Sequence, residues 1–177
     1  MAGAAAVTQK GGNCGPPEAA GAYVIFRAGR REFLLASERV LEIRSVPPAK
    51  DPPGGAEGPL AGSIVLHGRS VPVIALTRLL DLPPARRNSR RFVIVLPLDF
   101  PPASAPALGL LVDAVSSVVR IPAARIAPPD PAAPPASTGR VRINGRFKYL
   151  LEPALLLPPE QISQVCGFPA AVAGPVA

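Results

Sequence analysis

His67 is the sole histidine of the 177-residue chain, which removes most catalytic chemistry at the outset. A metal centre built on clustered imidazoles is excluded, and a nucleophile–base–acid triad would have to turn on this one ring. The two cysteines, Cys14 and Cys166, lie near opposite ends of the chain. Neither has a neighbouring base to activate a thiolate, and the pair makes no disulfide framework, so both are expected to be incidental thiols in a reducing compartment. Glu42 and Asp113 are carboxylates set in apolar runs, but nothing pairs them as acid and base. No Gly-rich loop closing on Lys-Ser/Thr opens a helix. The sequence therefore predicts no catalytic, cofactor-binding or metal-binding residue. The chemistry left to it is recognition.

A net charge of +7 suggests an anionic partner, and one class of these is nucleic acid. The basic residues are scattered, however, and their one dense cluster is Arg86-Arg87-Asn88-Ser89-Arg90-Arg91. A single-strand binder would interleave such residues with stacking aromatics, which make up only 5% of this chain. A small-barrel nucleic-acid-binding protein is thus the alternative, and nucleic acid is not the expected partner. No apolar stretch reaches the length of a membrane span, so no direct membrane insertion is expected. Met1 to Ala6 lacks the charged and bulky apolar regions of a signal peptide.

The elements that must position these residues are short. The chain has 25 prolines and 16 glycines, and that much proline works against long helices. Alternating or continuous apolar runs predict strands at 23–28, 32–36, 40–46, 63–66, 70–75, 91–96, 108–113, 115–119, 140–143 and 147–151. Single helical turns are expected at Thr77–Leu80 and Glu152–Leu157, each followed by a proline pair or closed by one. Residues 1–21 form an expected disordered leader and 161–177 a loosely held tail.

The two halves of the chain repeat each other. Gly62-Ser63-Ile64-Val65-Leu66-His67-Gly68-Arg69 aligns with Gly139-Arg140-Val141-Arg142-Ile143-Asn144-Gly145-Arg146 at an offset of 77 (139 − 62), continuing to Leu80 opposite Leu157. Before it, Leu35, Glu38, Val40 and Ile43 match Leu110, Asp113, Val115 and Val118 at an offset of 75 (110 − 35). About five short strands scarcely bury a core alone. Two copies packed around a pseudo-two-fold solve that problem.

Four stretches in this order resemble the CheW-like family. Val40-Leu41-Glu42-Ile43 is similar to its V-x-E-I, and Gly62 to Ile74 to its G-x-I-N-L-R-G-x-x-x-P-V-I. Gly109-Leu110-Leu111-Val112-Asp113-Ala114-Val115 is close to G-x-x-V-D-x-V, and Tyr149-Leu150-Leu151-Glu152 to the closing L-x-L-L-D. The resemblance implies a mostly β fold over residues 22–160, two interleaved five-stranded SH3-like barrels of roughly 22–90 and 91–160, with short helical turns only. It also implies a non-catalytic cytoplasmic adaptor without cofactors, recruited to membrane-associated or cytoplasmic receptor arrays. Its partners would be the regulatory domain of a CheA-type histidine kinase, the cytoplasmic tip of methyl-accepting chemoreceptors and other CheW-like domains. A role as scaffold for another CheW-like domain is a further alternative.

Within that resemblance, Val40, Glu42, Gly62, Gly109 and Val115 are expected near a partner-binding groove between the barrels. His67 and Gly68 replace the family's Arg-Gly, and Ala75 stands where the family has Asp. His67 is expected near Glu42, with a contact that is charge-assisted only when the ring is protonated. Gly68 supplies a tight turn. Asp113 is either a contact residue or a turn stabiliser.

Overall fold

The structure is a computed structural model that describes residues 20–47, 58–83, 90–97 and 107–157. Most of the expected leader, the tail beyond Leu157, both cysteines and the Arg86–Ser89 part of the basic cluster lie outside these residues. In chain order the strands are β1 (Gly21–Ala28), β2 (Arg31–Ala36), β3 (Glu42–Val46), β4 (Leu60–Leu66), β5 (Arg69–Ala75), β6 (Arg91–Pro97), β7 (Ala107–Val112), β8 (Ala114–Ile121), β9 (Ser137–Ile143) and β10 (Arg146–Leu151). Helix α1 (Leu76–Leu79) follows β5, and α2 (Pro153–Leu156) follows β10. Both are single turns. Pro153 opens the second one, and the Glu152 carboxylate accepts from the Ala154 amide.

The strands form two curled five-stranded sheets, in the order β8-β1-β2-β10-β9 (sheet A) and β3-β6-β7-β5-β4 (sheet B). Replacing each strand by its counterpart in the other repeat converts one order into the other. Each sheet therefore takes two strands from one repeat and three from the other. The hairpin β1–β2 joins β8, β9 and β10, whereas β6–β7 joins β3, β4 and β5. Each sheet has two junctions between the repeats, one antiparallel (β1 with β8, β6 with β3) and one parallel (Leu34 with Leu150, Ile74 with Leu110). Strands β4 and β9 begin 77 residues apart (137 − 60), and so do α1 and α2 (153 − 76), as the sequence repeat requires.

Hydrophobic patterning explains which strands occupy the middle. Phe26, Ala28, Phe33 and Leu35 of sheet A pack with Ile94, Leu96, Leu108 and Leu110 of sheet B in one shared core, and the Phe26 and Phe33 rings stack at 5.5 Å. The opposite faces of the same strands fill the two barrels. Ile25 and Leu34 meet Ile121 and Val141 in sheet A; Val93, Val95 and Leu111 meet Val46, Ile64 and Val73 in sheet B. Strands covered on both faces must be apolar at consecutive positions, which is why Phe33-Leu34-Leu35 and Val93-Ile94-Val95-Leu96 do not alternate. The edge strands β3 and β4 do alternate. The mostly β architecture of two five-stranded units is the one expected from the sequence, but each sheet draws its strands from both halves of the chain rather than from 22–90 or 91–160 alone.

Candidate functional site

Strand β3 inverts the usual arrangement of a surface strand. Val46 is buried and Glu42 and Arg44 are half-buried on the same face, whereas Leu41 and Ile43 point outward, 58% and 38% exposed. Charged residues can face inward here because they satisfy one another. The Arg44 guanidinium donates Nε to Glu42 Oε1 at 2.6 Å and Nη1 to the Val65 carbonyl at 3.1 Å. Strands β3 and β4 are the two edges of sheet B, so Arg44 ties together edges that share no backbone ladder. Glu42 alternates with outward apolar residues, yet it is not the solvated side of its strand.

His67 reaches the same carboxylate. Its Nε2 lies 3.7 Å from Glu42 Oε2, an ion-pair distance rather than a hydrogen bond. The expected proximity is therefore present, but 83% of the imidazole side chain is exposed, so the contact contributes little. Backbone geometry is the stronger demand on this position. His67 and Gly68 both have positive φ, +47° and +76°, as a two-residue type I′ hairpin requires. The counterpart turn is Asn144-Gly145, at +51° and +77°, with the residue pair that such turns prefer.

The remaining candidates do not gather on one surface. Val40 and Val115 are half-buried against the shared core. Gly62 is buried, sits at a β-bulge and has φ +140°, which favours glycine. Gly109 is buried in β7, where an added Cβ would come within 2.7 Å of Val93 Cγ1 and 3.0 Å of Val73 Cγ2. Both glycines are buried, and at Gly109 the packing of neighbouring strands already demands glycine. Glycine at 109 lets strands β5, β6 and β7 approach, and a larger residue there would disturb the barrel before it met a partner. Asp113 stabilises a turn: its Oδ2 accepts from the Gly29 amide at 2.6 Å, and its own amide donates to the Arg27 carbonyl at 2.8 Å.

What stands at the open end of sheet B is Glu42 flanked by Arg44 and His67, with exposed apolar side chains on the same two edge strands: Leu41 and Ile43 beside β3, and Val65, 66% exposed, on β4. Sequence reasoning missed Arg44. Its signal was available, since a residue two positions from Glu42 shares its face. Among the described residues no group of three or more His, Cys, Asp and Glu side chains could hold a metal ion, and no helix is long and apolar enough to cross a membrane.

The family model for the CheW-like domain matches residues 22–164. The chain belongs to the CheW-like family. The scaffolding protein TtCheW from Thermoanaerobacter tengcongensis is similar in structure, with a TM-score of 0.62 and 22% identity, over 77% of this chain and 92% of that one. At that identity the likeness concerns the fold. No curated protein matches the chain. The CheW-like family is one of non-catalytic scaffolds, and membership in it supports a scaffold or adaptor role in chemotaxis signalling. From the stretches that resemble its V-x-E-I and G-x-I-N-L-R-G motifs, Glu42 and His67 come together, and Arg44, just after the first, joins them.

Proposed function

We propose that this chain is a non-catalytic cytoplasmic adaptor that couples methyl-accepting chemoreceptors to the regulatory domain of a CheA-type histidine kinase. The observation that carries this reading is the CheW-like match across 22–164, because it spans both exchanged halves of the fold. The surface at the open end of sheet B fits a protein partner. Leu41, Ile43 and Val65 supply apolar area, and the Glu42–Arg44 pair supplies orientation. Kinase contact is assigned to this end, and receptor contact to the crease between the sheets where Val40 and Val115 are half-buried.

Co-purification of the full chain with kinase regulatory and receptor-tip fragments encoded in the same genome tests the proposal. A ternary complex containing all three is the expected result. Failure to bind either fragment, with the chain folded, would overturn it.

A further inference from the structure

Sheet A carries a second surface of different chemistry. The β1–β2 turn and the start of β10 place Arg27, Arg30, Arg31 and Arg146 around one open cleft of about 490 Å³, walled by the rings of Phe147 and Tyr149. Among the described residues Glu32 is the one carboxylate in its lining, and the buried Lys148 ammonium already holds it. No other described carboxylate in the lining compensates the four guanidiniums. Arg31 is fixed in place, donating Nη1 to the Ala132 carbonyl at 2.9 Å and lying 5.7 Å from the centroid of the Tyr149 ring. Arg27, Arg30 and Arg146 have no ion-pair partner among the described residues.

Gathering like charges costs repulsion that an anionic ligand would relieve. The guanidinium fork matches carboxylates in bidentate geometry, and arginine beside exposed aromatic surface is the composition of protein-binding hot spots. The cleft is wide open across two strand ends, which suits an extended chain passing over it better than an enclosed small molecule.

We propose that this arginine cleft binds an acidic segment of a protein partner, a short run of Asp and Glu residues. It lies on the sheet opposite the Glu42 surface, and it does not depend on the adaptor reading.

The test is fluorescence anisotropy of the full chain with labelled octaglutamate, with octaglutamine and a charge-matched oligothymidylate as comparators. The parent should bind octaglutamate, ignore octaglutamine and release the ligand as salt rises. The double variant Arg30→Glu/Arg146→Glu should lose roughly tenfold or more in affinity. Arg78→Glu/Arg90→Glu, the same change in net charge at exposed positions in α1 and just before β6, should bind nearly as the parent does. Should the first double variant fail to fold by circular dichroism, Arg30→Gln/Arg146→Gln should show a smaller loss in the same direction. Equal losses in both reversal doubles, or no octaglutamate binding, would overturn the proposal. So would tighter, Arg30- and Arg146-dependent binding of the oligothymidylate, which would make nucleic acid the partner.

Discussion

The hairpin ends of the two sheets share a backbone, two glycines and an arginine, and differ in several exposed side chains. Strands β4–β5 and β9–β10 have the same lengths of offset, the same I′ turn and the same following helical turn. Yet Val65 corresponds to Arg142, His67 to Asn144, Ser70 to Phe147 and the buried Val71 to the buried Lys148. In the preceding hairpin Gly109 corresponds to Leu34. Sheet B ends in a carboxylate with exposed aliphatic residues; sheet A ends in guanidiniums stacked on rings, with Arg140 4.9 Å from the Phe147 centroid. Duplication has kept what the turns and shared core require and freed the exposed ends to meet different partners.

Exchanging counterparts tests that view, because surface positions should tolerate it and packed positions should not. The largest effect is expected at Gly109→Leu. Leu34 fits sheet A, but in sheet B the side chain would enter the space held by Val73 and Val93. A loss of about 3 kcal/mol or more, or failure to fold, is expected in urea titration. A Gly109→Leu chain as stable as the parent would break the account of barrel packing.

Next comes the ion pair. Glu32→Gln would leave the Lys148 ammonium, 7% exposed, without its carboxylate, and should cost on the order of 3 kcal/mol in the same titration. Lys148→Val copies the counterpart Val71 and leaves only Glu32, which is 27% exposed and can hydrate. Its cost should stay within about 1 kcal/mol. Equal losses from the two would show that the pair, rather than the buried ammonium, governs stability.

The smallest effect is at the turn. His67→Asn gives sheet B the turn pair of sheet A and should stabilise the chain by about 0.5 kcal/mol, despite removing the exposed contact with Glu42. His67→Arg restores the residue expected from the family motif, yet places a long side chain at φ +47°. It should lower the thermal midpoint slightly, because arginine adopts this conformation less readily than histidine or asparagine.

The strands were legible in the sequence because period-two patterning and Pro/Gly punctuation are local. The repeat was legible for the same reason, and it anticipated equivalent strands and turns. Strand exchange was not legible: an internal repeat says that β2 and β7 are equivalent, but not that β2 lies beside β10 and β7 beside β5. The Lys148–Glu32 pair spans 116 residues, beyond any local pattern. The packing role of Gly109 was not legible, because a motif glycine reads equally well as close approach to a ligand and as close approach to another strand; the close neighbours are Val73 and Val93. His67 near Glu42 was anticipated, but the demand of its positive φ was not, although Asn144 at the corresponding place carried that signal.

The central claim, that this is an adaptor whose sheet B end meets a kinase regulatory domain, is tested most directly by isothermal titration calorimetry. The full chain would be titrated with that fragment beside two counterpart exchanges, Val65→Arg and Arg142→Val. The parent and Arg142→Val should bind alike, whereas Val65→Arg, which puts a charge into exposed apolar surface without touching the core, should bind roughly tenfold more weakly. No binding by the parent, or a loss confined to Arg142→Val, would contradict the account.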